Sequence, residues 1–165
     1  ERLFVDRALR TLHFHGRRAA AWDSLTRAYP TPPPGTTLLA HRPGNAGRRA
    51  AESSGAPWIL ADAEILTLSH PGRTNSPLEP AHILFDDLTQ ALRGERLKGV
   101  EAVAWSSTVT TPDLLFYHLL PRLLVIAEAA WHGEDSLPWD KLAPLVEHEM
   151  THLRRTIPYW NPQRP

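Results

Sequence analysis

Cysteine is absent from all 165 residues of the sequence. Its absence excludes disulfide bonds, thiolate nucleophiles and zinc sites built on cysteine sulfur, and it leaves the cellular compartment unspecified. An excess of one charge is absent as well, because 18 basic side chains balance 18 acidic ones. No basic tract or stripe is present, so the sequence does not predict a nucleic-acid-binding protein.

An uninterrupted hydrophobic segment long enough to cross a bilayer is also lacking. The longest apolar run, residues 114–131, contains His118, Pro121, Arg122 and Glu128. Charged side chains and an internal proline are costly in hydrocarbon. We therefore interpret this run as two buried helices that are separated at Pro121, and we expect no membrane partner.

The length and the first residues bear on how the chain is organised. At 165 residues the chain has room for about one domain with a single core. It begins with Glu1, and residues 1–16 already have the pattern of the middle of a helix. We therefore expect this sequence to have been cut from a longer one, so that no targeting signal can be judged from it.

Apolar spacing and turn residues predict one helix followed by four units of strand, loop and helix. This alternation predicts an α/β fold with parallel strands joined by right-handed crossovers. It fits either a four-stranded open sheet or half of an eight-stranded α/β barrel. The predicted segments are a helix at 3–15, a short apolar stretch at 18–22, strands at 36–40, 57–61 and 100–105, a long polar loop at 62–80, and helices at 45–55, 81–93, 112–131 (broken at Pro121) and 136–156.

A metallopeptidase-like motif, His148-Glu149-x-x-His152, lies in the last predicted helix. Its spacing places two imidazoles one helical turn apart, with a carboxylate that can activate water. A zinc site needs a third protein ligand, and no His, Asp or Glu follows His152. Both histidines also lie on a polar flank of the helix, away from an apolar stripe formed by Leu142, Val146, Met150 and Leu153. A zinc hydrolase that uses His148 and His152 is therefore kept only as an alternative.

The segment at residues 99–131 resembles the last strand and following helices of the glycoside hydrolase family 20 barrel, the β-N-acetylhexosaminidases. The matching residues are Gly99, Ala102, Trp105, Pro121, Arg122, Ala127, Glu128 and Trp131. Residues 16–24, 35–42 and 65–71 resemble the fifth, sixth and seventh strand segments of the same family. The family has an irregular loop where the pattern at 81–93 predicts a helix.

This resemblance implies the C-terminal half of a TIM-type (β/α)8 barrel, strands 5–8, with its site at the carboxyl ends of the strands. Residues 1–165 would then form a single partial barrel domain, and residues 132–165 its closing helix and tail. Four strands cannot close a barrel and leave unpaired edges. We therefore expect either a missing N-terminal half-barrel as a partner or self-association.

The family's chemistry implies an amino-sugar-containing glycan or glycoside as the ligand and no cofactor. In substrate-assisted hydrolysis the sugar's acetamide attacks the anomeric carbon, a Glu protonates the leaving oxygen, and an adjacent Asp orients the acetamide. In the family this Asp-Glu pair ends the fourth strand, and no Asp-Glu dipeptide occurs in this sequence. No residue is therefore predicted to be catalytic, and the chain alone is not expected to hydrolyse a glycoside.

Seven positions are predicted by the resemblance to bind the sugar. Trp22 and Trp105 correspond to walls of the acetamido pocket, while His41 replaces another wall tryptophan. The remaining contacts are predicted at Asp23, Thr67, Ser69 and Ser107. Asp23 is retained, whereas Thr67 replaces a Tyr, Ser69 an Asp and Ser107 a Glu. Other interpretations stay open: Asp23 as a helix N-cap, the tryptophans as packing residues, and His41 as a rim histidine.

Each carboxylate-to-hydroxyl replacement forfeits charge-assisted hydrogen bonds worth about 1.5–3 kcal/mol. The predicted pocket is therefore either degenerate or adapted to another ligand. Two functions follow from the resemblance: a portion of a β-N-acetylhexosaminidase-like glycoside hydrolase, or a non-catalytic carbohydrate- or partner-binding pseudoenzyme.

Overall fold

The computed structural model describes residues 2–69, 78–107 and 109–157. It divides into two compact units, Glu1–Glu64 with Gly94–Glu101 and Ile65–Arg93 with Ala102–Pro165. The interpretation of residues 1–165 as a single partial barrel domain stays a prediction.

The first unit is a four-stranded parallel sheet with helices in its connections. Its strands follow the order β1-β2-β3-β4 across the sheet, and each adjacent pair is parallel. The predicted parallel arrangement is thereby confirmed. The elements are α1 (Arg2–Phe14), β1 (Ala19–Trp22), a 3-10 helix (Asp23–Arg27), β2 (Thr36–Ala40), α2 (Ala46–Ser54), β3 (Trp58–Leu60) and β4 (Leu97–Val100).

The core of the first unit lies on one face of the central strands. Burial alternates along β2, where Leu38 and Ala40 are buried while Thr37 and Leu39 are partly exposed. The continuously apolar residues 38–40 are typical of a strand covered on both faces, and the observed alternation shows that one face is covered more completely. Trp58 on β3 is 1 % exposed and supplies the largest buried side chain.

The fourth strand differs from the sequence prediction. The apolar segment 100–105 was predicted to be the strand, but β4 is Leu97–Val100 and pairs with β3 through an irregular register. Beyond it, Val103 pairs instead with Thr67 in an isolated parallel bridge. The prediction failed because apolar content shows which residues are able to form a strand. Which residues do form it depends on the backbone groups that the neighbouring strand offers as hydrogen-bond partners.

The second unit is helical apart from the Thr67–Val103 bridge. Its helices are α3 (Leu78–Ala91), α4 (Pro112–Leu119), α5 (Arg122–His132) and α6 (Trp139–Thr156), with a 3-10 helix at Gly133–Asp135. The helix predicted at 81–93 is present as α3, although the family has a loop there. Thr111 caps α4, where its hydroxyl accepts the Leu114 amide at 3.2 Å. The last helix begins three residues later than predicted because Pro138 takes the N-cap position.

Two predictions about helices of the second unit are borne out in part. On α6, Leu142, Val146 and Met150 of the predicted stripe are buried, whereas Leu153 is partly exposed. The apolar run around Pro121 forms the two separate helices α4 and α5 as predicted, but within α4 only His118 is buried. Within the described residues no single helix is long and apolar enough to cross a membrane. The pair α4–α5, bent by 45°, reaches that length and apolar content only when its two helices are taken together.

Candidate functional site

Trp22 and His41 lie at the carboxyl ends of the adjacent strands β1 and β2. Trp22 is the last residue of β1 and pairs in register with Leu39, two residues before His41. The two rings are in contact, with centroids 4.5 Å apart and planes tilted by 50°. Trp22 is 41 % exposed and His41 is partly exposed. The structure therefore brings together two residues that the sequence predicted at one site.

Asp23 is buried directly behind this pair, with 1 % exposure. Its carboxylate accepts the backbone amides of His41 at 2.8 Å and Arg42 at 3.2 Å, and it pairs with the Arg42 guanidinium. Asp23 is the first residue of the 3-10 helix, and Trp22 occupies the N-cap position. The alternative interpretation of Asp23 as an N-cap is therefore wrong. Its carboxylate instead fixes the start of the loop after β2.

The electrostatics of Asp23 favour the charged form. Burial alone raises the pKa of a carboxyl group, but the hydrogen bonds from Arg42 and from the amides of His41 and Arg42 outweigh it. The pKa of Asp23 therefore lies below its ordinary value. We refer to Trp22, Asp23, His41 and Arg42 as the β1–β2 rim.

One tautomer of the neutral His41 ring fits its surroundings. Its Nδ1 lies 3.0 Å from the Ala61 carbonyl oxygen, which can only accept a hydrogen bond. Nδ1 therefore donates, and in the neutral ring Nε2 carries the lone pair. Among the described residues Nε2 has no hydrogen-bond partner. The backbone is held as well, because the His41 carbonyl accepts the Ala63 amide at 2.9 Å.

Gly47 allows α2 to approach the β1–β2 rim closely. A Cβ at this position would lie 2.7 Å from the Arg42 nitrogen and 2.8 Å from the His41 nitrogen. The Gly47 amide also donates to the Arg42 carbonyl at 3.1 Å. Any larger residue would push the helix away from the loop that carries His41. Sequence reasoning missed this role because nothing in the local pattern shows a backbone contact.

Two further predicted positions, Thr67 and Ser69, lie in the second unit. Thr67 is partly exposed and Ser69 is 1 % exposed. Their segment, residues 66–69, is held by the Leu68 amide donating to Val103 at 2.7 Å and by Arg122 donating to the Leu68 carbonyl at 2.9 Å. Burial lowers the pKa of Arg122 below its ordinary value. Arg122 therefore anchors this segment through the Leu68 carbonyl.

Trp105 and Ser107 follow the bridge at Val103 and are both exposed. Trp105 is 50 % exposed, and Ser107 lies in a turn. Unlike Ser69, neither side chain is buried in a packed environment. Both are accessible to a ligand.

The histidines of the possible zinc motif, His148 and His152, lie on the exposed flank of α6. The residues that the structure describes contain no group of three His, Cys, Asp or Glu side chains placed to hold a metal ion. The geometry therefore lends no support to the zinc alternative.

Most of the chain matches a known protein family. The model described as "Glycosyl hydrolase family 20, catalytic domain" matches residues 1–134. The chain belongs to glycosyl hydrolase family 20. The matched region contains all four strands and α1 to α5, and hence the whole β1–β2 rim.

A curated relative and two solved structures agree with this family. The β-N-acetylhexosaminidase of Cellulomonas fimi is 27 % identical in an alignment 160 residues long that covers 88 % of this chain and 30 % of that protein. The family 20 β-N-acetylhexosaminidase of Streptomyces coelicolor A3(2) superposes with a TM-score of 0.72 at 21 % identity, covering 99 % of this chain and 37 % of that one. The family 20 exo-β-N-acetylglucosaminidase of Vibrio harveyi, solved with N-acetylglucosamine, gives 0.70 at 18 % identity, covering 99 % and 28 %.

The structural likeness confirms the predicted fold class, an α/β fold of parallel (β/α) units with TIM-barrel neighbours. The chain spans about a third of the length of these family 20 proteins.

Proposed function

We propose that this chain is the C-terminal portion of a β-N-acetylhexosaminidase-like glycoside hydrolase and supplies part of the wall of a sugar pocket. The observation that carries the proposal is the contact between Trp22 and His41 at the carboxyl ends of neighbouring parallel strands. In barrels of this type the ligand lies at that end of the sheet. Membership of family 20 makes an amino-sugar glycoside the expected ligand.

The chemistry of the rim suits a sugar. The exposed part of the Trp22 ring offers an apolar face on which sugar C–H groups can pack. In the second unit, the half-exposed ring of Trp105 offers an apolar face of the same kind. Asp23 acts through its neighbours rather than by touching ligand, because its carboxylate is buried and engaged by His41 and Arg42.

Turnover requires groups that this sequence does not contain. No Asp-Glu dipeptide is present, so neither the general acid nor the carboxylate that orients the acetamide is supplied in the family's pattern. We expect the chain alone to bind a sugar without hydrolysing it. In a complete barrel, the other half would contribute these two groups.

The partner that we propose is this N-terminal half-barrel, and α1 marks where it would dock. No residue of α1 is buried, and Leu3, Phe4 and Phe14 are each about four-fifths exposed. A groove of ≈ 980 Å³ lies between α1 and the start of β1 and β2, lined in part by Leu9, Leu12 and Pro33. Among the described strands β1 pairs only with β2, so its other edge is available to a further strand.

Calorimetry combined with a hydrolysis assay tests the sugar-binding function. We expect titration with N-acetylglucosamine-type ligands to give measurable heats, and a chromogenic N-acetyl-β-glucosaminide to remain uncleaved. Trp22→Ala should abolish binding, whereas Trp131→Ala, at an 86 % exposed position on α5, should leave it intact. Equal loss in both variants, or hydrolysis by the chain alone, would contradict the proposal.

The replacements at Thr67, Ser69 and Ser107 favour the second candidate, a non-catalytic carbohydrate- or partner-binding pseudoenzyme. These positions carry hydroxyls where the family pattern has a phenol or carboxylates, so their hydrogen bonds to sugar hydroxyls are weaker. Adding a half-barrel that bears Asp-Glu separates the candidates. Recovered hydrolysis supports the enzyme portion, and binding that persists without hydrolysis supports the pseudoenzyme.

Association measurements test the proposed half-barrel partner. Size-exclusion chromatography with light scattering should show the isolated chain self-associating, because α1 and the β1 edge are uncovered. Leu12→Glu, which places a charge in the groove, should reduce association, whereas Thr11→Glu on the exposed side of α1 should not. A well-folded monomer that does not bind an added N-terminal half-barrel would refute the proposed partner.

A further inference from the structure

His41 brings to the rim a chemical property that a tryptophan wall lacks. At the matching position the family pattern has a tryptophan, whose ring nitrogen can only donate a hydrogen bond. In this chain Nδ1 of His41 donates to the Ala61 carbonyl at 3.0 Å. The remaining nitrogen, Nε2, is therefore an acceptor in the neutral ring, and it has no partner among the described residues.

The position of this acceptor is well determined. The His41 amide is held by Asp23 at 2.8 Å, its carbonyl by the Ala63 amide at 2.9 Å, and its ring by Ala61. The ring also lies against Trp22, with centroids 4.5 Å apart. Three hydrogen bonds and one ring contact leave the imidazole little freedom to turn its acceptor away from a ligand that packs on Trp22.

A ligand's methyl group and a ligand's hydroxyl group meet this acceptor with opposite consequences. A methyl group pressed against Nε2 displaces water and leaves the nitrogen lone pair unsatisfied, which costs binding free energy. A hydroxyl group in the same place donates a hydrogen bond to it. If the chain binds its sugar as the family resemblance implies, His41 lines the acetamido pocket, which in an N-acetyl sugar holds the methyl group.

We propose that the Trp22–His41 pair selects a hexoside whose 2-substituent presents a hydrogen-bond donor to Nε2 of His41, in preference to the N-acetyl group. The ligand class is an amino sugar with a hydroxylated acyl group. This inference rests on the proposed sugar-binding function, and it names the substituent that the site prefers.

Calorimetry with three methyl β-glycosides tests the preference on the full chain. The N-acetyl- and N-glycolylglucosaminides differ by one hydroxyl group, and the glucoside carries its hydroxyl directly on carbon 2. We expect the N-glycolyl sugar to bind at least about five-fold more tightly than the N-acetyl sugar. This is the lower bound for satisfying one acceptor that the bound ligand shields from water. The glucoside is the control: its hydroxyl is attached directly to carbon 2 and does not reach the position of the N-acetyl methyl group, so it should bind more weakly than the N-glycolyl sugar.

Two substitutions assign the preference to His41. His41→Phe keeps a ring against Trp22 but removes both nitrogens, so the N-acetyl sugar should then bind at least as tightly as the N-glycolyl sugar. His41→Gln returns a polar group near the position of Nε2 and should restore part of the preference. The ratio of the two affinities within each variant is the readout, because a general loss of folding weakens both ligands together.

Nitrogen NMR of the unsubstituted chain provides a measurement that needs no variant. Two-bond proton–nitrogen correlation spectra should show His41 protonated at Nδ1, with an Nε2 resonance that shifts on addition of the N-glycolyl sugar. Protonation at Nε2 instead would overturn the inference. Equal affinities, or tighter binding of the N-acetyl sugar, would overturn it while leaving the sugar-binding function intact, whereas failure of all three glycosides to bind would overturn both.

Discussion

The two units differ in how firmly their predicted ligand contacts are held. In the first unit, the β1–β2 rim is fixed by a buried carboxylate, Asp23, and by the close approach of α2 at Gly47. In the second unit, the segment 66–69 is anchored by Arg122, whereas Ser107 lies exposed in a turn. The first unit therefore holds its predicted ligand contacts in place before any ligand arrives, whereas in the second unit the exposed turn at Ser107 can adapt.

Asp23→Asn should have the largest effect on this contrast. The amide cannot pair as an anion with the Arg42 guanidinium, and it weakens the hydrogen bonds to the His41 and Arg42 amides. We expect a loss of about 3 kcal/mol in the free energy of unfolding, measured by urea denaturation. Asp87→Asn, on the exposed face of α3, is the matched control and should change stability by less than about 0.5 kcal/mol.

The same carboxylate predicts a pH dependence of stability. Because the pKa of Asp23 is lower in the folded state than its ordinary value, the unfolded chain takes up this proton first as the pH falls. The stabilisation is complete above the unfolded pKa of about 3.9 and is lost as the pH falls through the lower folded pKa. The free energy of unfolding, measured by urea denaturation between neutral pH and pH 2, should therefore fall less steeply below about pH 4 in Asp23→Asn than in the unsubstituted chain.

Gly47→Ala should have the next largest effect. It should loosen the β1–β2 rim and so reduce the difference between the two units. Its Cβ would meet the backbone nitrogens of His41 and Arg42 at under 3 Å, so the helix or the loop has to shift. We expect a loss of about 2 kcal/mol together with changed amide resonances for His41. Ser53→Ala, exposed on the same helix, should leave both unchanged; an unaltered His41 in Gly47→Ala would show that α2 does not position the rim.

Arg122→Lys tests the anchor of the second unit and should cost about 1 kcal/mol. A lysine supplies one compact charge where the guanidinium donates to both the Leu68 and His118 carbonyls. Faster amide hydrogen exchange across residues 66–69 should accompany the loss. If Arg49→Lys, at an exposed position on α2, has the same effect, the anchoring role is refuted.

Ser107→Ala should have the smallest effect, under about 0.5 kcal/mol in stability, because the side chain is exposed. Ser54→Ala offers the contrast, since this buried hydroxyl donates to Ala51 at 2.7 Å and accepts the Ala56 amide at 3.1 Å. Its removal should cost about 1 kcal/mol. Comparable losses in the two variants, measured by thermal denaturation, would mean that the Ser107 turn is more firmly held than its exposure indicates.

Much of the fold was predictable from local patterns. The helix at Ala46–Ser54 ends at Gly55 in the left-handed conformation, which a glycine signals directly. The break between α4 and α5 follows from Pro121 in the same way. The position of β4 was not predictable, since Leu97–Val100 is chosen by its pairing with Trp58 and Leu60 rather than by its own composition.

The candidate site was predictable to a smaller extent. The family resemblance pointed to Trp22, Asp23 and His41, and the structure places these three together in one unit. It did not point to Arg42, whose guanidinium neutralises Asp23, or to Gly47. Both act through contacts between residues distant in sequence, for which no local pattern exists.

By itself, the sequence determined the alternation of strands and helices, because apolar period, proline and glycine act within a few residues. It also determined that the Asp-Glu pair of the family's chemistry does not occur in these 165 residues. Only the tertiary structure decided that Asp23 serves as a support and that His41 offers Nε2 as an acceptor. Both properties depend on partners 18 to 20 residues away, which folding alone brings within hydrogen-bond distance.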